Sequence, residues 1–200
     1  QNIIQARSGL LDEVRMWRKI AAGFERGVNN QQWRQLNLTE VSDNLGETRQ
    51  YMRVHWSGVL FWMSADVALR EQNGNSLDRL LKQLNDCCGG QNMSAEAIVE
   101  KLDELAGSDL FVTSFREFRL SHSLPDYMPL LSDLGIEKHK PGGPVTLSGD
   151  APKAQIRRQI YRGSHVLGRQ ARSGCGRCHR ARFPGPAYPH QQPASNSGYA

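Results

Sequence analysis

The sequence predicts an all-α domain, a bundle of about six helices, followed by a disordered basic tail. Three observations carry this. Apolar residues recur at spacings of three and four through residues 1–136, the period of a helix with one buried face. Each periodic stretch is bracketed by capping and breaking residues. After Gly163 the periodicity stops and Arg, Gly, Pro and Ser take over, a composition that buries too little surface to offset its ordering entropy.

The first expected helix carries Leu10, Val14, Trp17, Ala21 and Phe24 on one face, with Ser8 as N-cap, Asp12 and Glu13 near the positive dipole end and Gly27 as terminator. Residues 28–50 are polar with scattered apolar anchors and read as a loop with one helical turn. From Tyr51 to Arg70 the chain is apolar on nearly every side, which predicts the central, most buried helix. "NGN" at 73–75 breaks it, and Ser76 caps a third helix with a Leu77, Leu80, Leu81, Leu84 stripe. Ser94 caps a fourth with Ile98, Leu102 and Leu105, and Gly107 ends it. Asp109 caps a fifth carrying Phe111, Phe115 and Phe118, and Pro125 opens a short sixth that ends at Gly135. Beyond it lie a connector with a short strand at Val145–Leu147 and a basic turn or two near Ile156. The expected organisation is a helical domain over 1–136, a connector and short terminal helix over 137–162, and the tail over 163–200.

Charge is distributed as unevenly as pattern. Nine of the 25 Lys and Arg residues lie in 151–200 with no Asp or Glu, so residues 1–150 hold 16 basic against 20 acidic groups, a net of −4. The positive total therefore describes the tail, and nucleic acid is not an expected partner of the domain. No run of eighteen apolar residues is present, so neither a spanning helix nor a membrane partner is expected. No leader is visible before the first helix and the chain opens without Met, so it reads as a segment of something longer, with the cytoplasm as the favoured compartment.

Catalytic signatures are few. There is no G-x-S-x-G, no P-loop and no G-x-G-x-x-G. Asp66 and Arg70, four apart, read as an ion pair on one helix face. Glu96, Glu100, Asp103 and Glu104 read as a solvated helix face. Trp17, Trp33, Trp56 and Trp62 read as core, and Cys87 and Cys88 as semi-exposed thiols on a loop. The tail holds Cys175-Gly176-Arg177-Cys178-His179, the C-x-x-C-H of a c-type haem site. No Met follows it, and the one later His, His190, sits among prolines, so no haem is expected.

Four stretches in order, ARSGLLDE (6–13), YMRVHWSGVLFWMSADVALREQNGNSLDRLLKQL (51–84), MSAEAIVEKLDELAGSDLFVTSFREF (93–118) and LPDYMPLLSDLGI (124–136), carry a resemblance. Together they resemble the C-terminal helical part of the catalytic domain in the glycyl aminopeptidase family. These are thermolysin-like gluzincin zinc metallopeptidases, often PDZ-containing. GPVTLSGDAPKAQIRRQI (143–160) is similar to the closing segment of shorter members. The resemblance implies an all-α subdomain of a hydrolase whose zinc is held by H-E-x-x-H and a downstream Glu. None of that is in this chain: none of His55, His122, His139, His165, His179 and His190 precedes a Glu, and no two stand four apart. The chain is then expected to hold no cofactor, with zinc belonging to an intact parent enzyme.

The resemblance also places the Tyr of Y-x-x-G against the oxyanion of the attacked peptide. Aligned on Gly58, that position is His55, and Tyr51, one turn earlier, is a substitute donor. Expected partners are the missing N-terminal catalytic half, a peptide substrate in the parent, or a second copy of the chain. The alternative expectation is a non-catalytic helical interaction module whose basic tail adds weak nucleic-acid affinity. A read-through or frame-shifted origin of the tail is a further expectation.

Overall fold

The computed structural model describes residues 1–30 and 32–163. The expectations for the tail, including the Cys175–His179 motif, lie outside the described residues. Those residues form α1 (Asn2–Arg7), α2 (Glu13–Asn29), α3 (Leu38–Asp43), α4 (Leu45–Thr48), α5 (Tyr51–Asn73) and α6 (Leu77–Cys88). Then come α7 (Ala95–Ala106), α8 (Leu110–Leu120), α9 (Met128–Asp133), strands β1 (Ile136–Lys138) and β2 (Val145–Leu147), and α10 (Ala154–Arg162). The fold is an all-α bundle with one short antiparallel hairpin, in the register Ile136 to Leu147 and Lys138 to Val145.

Helix α5 is the spine. Trp56, Leu60, Met63 and Val67 enter one core cluster with Met16, Trp17, Ile20 and Phe24 of α2. Phe61, Ala65 and Leu69 enter a second, with Leu80 of α6, Val99 and Leu102 of α7 and Phe111 of α8. A helix serving two cores needs apolar residues around most of its circumference, which is why its sequence lacks a polar stripe. Each such large side chain taken out of water contributes about 1.5–3 kcal/mol.

Two glycines set the approach of α2 to α5. A Cβ built on Gly23 would stand 1.9 Å from the Trp56 ring, and one on Gly27 2.8 Å from the Trp56 Cβ. The Trp56 ring therefore occupies the space a side chain would need. Gly27 is buried inside α2 and is not its terminator; the helix runs on to Asn29.

The first expected helix starts later than expected, at Glu13, and a short helix that was not expected, α1, precedes it. Gly9, at φ +81°, breaks the chain after α1, leaving Ser8 beyond the last residue of α1 and not at an N-cap. Asp12 caps α2 instead, its Oδ1 accepting the Arg15 N–H at 2.7 Å. Leu10 and Val14, placed on the buried face by their spacing, are 72% and 44% exposed. Leu10 precedes the Asp12 cap and so lies outside the helix, and Val14 stands in its exposed first turn, while Trp17, Ala21 and Phe24 are buried at the expected spacing. The polar segment 28–50 holds two short helices. α3 begins in a capping box in which Asn37 Oδ1 accepts the Glu40 N–H and Glu40 Oε2 accepts the Asn37 N–H.

Two further local readings change for tertiary reasons. Asp103 is buried, not solvated: its two oxygens accept the Phe111 and Val112 N–H groups at 2.8 Å each. It caps α8 from α7, and Asp109 makes no capping bond. Pro125 precedes α9, which starts at Met128 with Pro129 in its first turn. Cys87 and Cys88 stand in the last turn of α6 and are joined to each other as a disulfide, not held as loop thiols.

The 137–162 segment, expected as a connector and short terminal helix, carries that helix as α10 and enters the α2–α5 core through Val145 and Ile160. Ile136, Val145 and Ile160 belong to that cluster. Buried Arg157 ties it down, donating to Glu13 Oε1 at 2.9 Å and to the carbonyls of Leu134, Gly135 and Ser148 at 3.0, 3.2 and 2.6 Å. Among the described residues no helix is long and apolar enough to cross a membrane.

Candidate functional site

Tyr51, His55, Gly58 and Trp62 follow one another at intervals of four, three and four along α5, so they share one face. Tyr51 and His55 are both exposed. The His55 ring stands edge-on to Trp56, centroids 5.1 Å apart. Neither the Tyr51 hydroxyl nor the His55 ring nitrogens hydrogen-bond to another described residue, so both present free donors to solvent.

The α5 turn beneath them is held firmly. Arg53 is fully buried and donates to the carbonyls of Trp33, Leu36 and Ser121 at 3.1, 2.9 and 3.1 Å. Burial lowers its pKa from the ordinary arginine value. No carboxylate pairs with it among the described residues, so carbonyl dipoles alone hold the charge. That arrangement sews Trp33, Leu36 and the end of α8 to the start of α5.

At its other end the stripe enters an apolar cleft of about 210 Å³. Gly58, Phe61 and Trp62 of α5, Ile98 and Val99 of α7, and Phe115 and Phe118 of α8 line it. No Cβ contact closes the space above Gly58, so the missing side chain leaves the cleft open. Arg119 stands at its rim and borders an adjoining polar cleft of about 350 Å³, which Glu40, Glu96, Glu100 and Arg116 also line.

The charges of the polar cleft are largely engaged. Arg119 pairs with Glu96, and its Nε donates to Thr39 Oγ1 at 3.2 Å. The Glu96 carboxyl is held below the ordinary range, first by a hydrogen bond from its own backbone N–H and then by Arg119 and Ser94, against a smaller opposing effect of burial. Glu40 is engaged in the α3 capping box. This is the chemistry of a binding surface: an apolar slot beside a fixed guanidinium, with two hydrogen-bond donors upstream.

The expected ion pair is present, Arg70 Nε lying 3.1 Å from Asp66 Oδ1. Asp66 also accepts the Leu77 N–H at 2.8 Å, tying α5 to the start of α6. It is structural and lines neither cleft. Phe115 and Phe118 pack against the core and also line the cleft with Arg119, a cleft that sequence reasoning did not foresee. The one available signal was Gly58, a glycine inside an otherwise apolar helix. Among the described residues no group of three His, Cys, Asp or Glu side chains is placed to hold a metal ion. Compared with protein-family models, curated proteins and solved structures, the chain matches none of them.

Proposed function

We propose that this chain is the C-terminal helical part of a zinc metallopeptidase resembling the glycyl aminopeptidases, where it forms one wall of the peptide-binding cleft. The observation that carries the reading is the four motif-bearing stretches in order over residues 6–136. The Tyr51–His55–Gly58–Trp62 stripe, exposed at Tyr51 and His55, supports it. Among the described residues no group of side chains is placed to hold a zinc ion, so no step is assigned to metal here. The chain's own contribution is to bind and orient: Tyr51 or His55 donates a hydrogen bond to a peptide oxygen as it gains charge, and the apolar cleft takes a substrate side chain. A donor aimed at a developing oxyanion acts without reorganising, which gives it its catalytic value.

The reading frame upstream of Gln1 tests this directly. An H-E-x-x-H with a downstream Glu in frame is expected, together with zinc and aminopeptidase activity in the longer protein and neither in this chain alone. In that longer protein His55→Ala lowers kcat by about tenfold to a hundredfold with little change in KM. Stoichiometric zinc on residues 1–163 alone would overturn the proposal.

A second reading, a non-catalytic helical interaction module, rests on the apolar cleft. Its occupant would be the apolar face of an amphipathic helix. Gly58→Leu fills the cleft and separates the two: it abolishes helix binding in a module, whereas in the peptidase it raises KM.

A further inference from the structure

On the side of the molecule where α5, α6 and α10 meet, a cavity of about 560 Å³ is lined by Arg70, Arg79, Arg158 and Arg162, with Gln155 and Gln159 between them. No carboxylate lines it among the described residues. This concentration is not a by-product of a basic body. Five of the 25 Lys and Arg residues follow Gly163, so residues 1–163 hold 20 basic against 20 acidic groups and are formally neutral.

The pairing of the four arginines is unequal. Arg70 reaches Asp66 at 3.1 Å and Asp78 at 3.8 Å, and Asp78 is shared with Arg7 at 2.9 Å. The guanidiniums of Arg79, Arg158 and Arg162 have no acidic partner among the described residues. Arg158 and Arg162 stand four apart on α10, a like-charge spacing that disfavours the isolated helix. The start of α6 adds little, because its amides are occupied: Leu77 N–H by Asp66 and Arg79 N–H by Ser76.

We infer that this cavity is an anion site for a phosphate-bearing small ligand carrying at least two phosphoryl groups. Arginines of three helices line one space, three of them with no acidic partner among the described residues, and a guanidinium can hold phosphoryl oxygens two at a time. The glutamine amides add neutral donors. The lining contains no aromatic side chain, so nothing there stacks a base, and recognition falls on the phosphates. The site lies apart from the apolar cleft and from Tyr51 and His55, and does not depend on the peptidase reading.

Isothermal titration of the full 200-residue chain with inorganic pyrophosphate, and separately with ADP, tests the inference at about physiological salt. One-to-one binding is expected for both, with affinities within about threefold because the terminal phosphates alone are read. Arg158→Gln/Arg162→Gln weakens both by at least about tenfold, and Arg79→Gln, on a different helix, weakens both in the same direction. A tail variant, Arg177→Gln/Arg180→Gln, leaves both unchanged. Far-UV circular dichroism verifies the fold of each variant; should the double variant unfold, Arg79→Gln decides alone. Absence of pyrophosphate binding, binding of ADP alone, or loss of binding in the tail variant only would each overturn the inference. So would tight duplex DNA binding that pyrophosphate fails to displace.

Discussion

Replacing Arg157 with Met tests whether the C-terminal hairpin and α10 are part of the core or an appendage to it. Methionine keeps most of the aliphatic volume, so the loss is polar rather than a cavity. It removes the bond to Glu13 and strips a donor from three carbonyls. Gly135 retains one partner, the Ser148 N–H at 2.8 Å, leaving Leu134 and Ser148 as the carbonyls deprived. Each costs about 1–3 kcal/mol if left unpaired, and Glu13 loses its ion partner in a site where its side chain is 22% exposed. Breaking one side of a buried pair costs about 3–5 kcal/mol in general, and the same range is expected here. Arg157→Lys keeps the charge but spans fewer of the acceptors, so about half that loss is expected. Urea titration followed by tryptophan fluorescence and circular dichroism gives both values. A loss under about 1 kcal/mol for Arg157→Met, with an unchanged slope, would refute the structural role and detach the 137–162 segment from the core.

Further outcomes follow from single side chains. Gly23→Ala and Gly58→Ala are the same substitution within two helices and should have opposite signs. The first drives a Cβ into the Trp56 ring and destabilises by about 2 kcal/mol or more; the second meets nothing and stabilises by about 0.5–1 kcal/mol in the same urea titration. Asp103→Ala frees the two N–H groups at the start of α8 and costs about 2–3 kcal/mol, read as a lowered urea midpoint. Lys153 sits 2.9 Å from Asp133 and 3.0 Å from Glu71. Burial opposes its charge, but these two partners outweigh it and raise its pKa above the ordinary 10.5. Its stabilising contribution is therefore complete below pH 10.5 and is lost as pH rises through the raised folded value. Thermal midpoints measured upward from pH 9 should fall less steeply in Lys153→Met than in the parent chain.

Local chemistry made much of this fold readable. Ser76 and Ser94 cap their helices as their positions suggest, accepting from Arg79 and Ala97 N–H, and Gly74 and Gly107 adopt the left-handed backbone that ends a helix. What stayed hidden depends on partners distant in sequence. Asp103 looked solvated because nothing nearby reveals that two amides eight and nine residues later need an acceptor. Arg157 looked like part of a basic turn because its partner Glu13 lies 144 residues away. Leu10 was misplaced by starting the helix at Ser8 instead of at the Asp12 cap, and Val14 by its place in the exposed first turn of α2. For the site, the Tyr51–His55–Gly58 spacing was legible, since it needs only one helix. The cleft draws on α3, α5, α7 and α8 together, and no single window of sequence contains it.

The two faces of α5 have a consequence for how the molecule comes apart. Trp56 and Leu60 belong to the cluster with α2, and Phe61 and Leu69 to the cluster with α6, α7 and α8. If α6–α8 detached alone, a still-docked α5 would present Phe61, Ala65 and Leu69 to water; if α2 left, Trp56, Leu60 and Met63 would be stranded in the same way. Neither half can open without exposing apolar surface on the helix that remains. Slow hydrogen exchange should therefore reach the same limiting protection in α2, α5 and α7, because their innermost amides share one opening reaction.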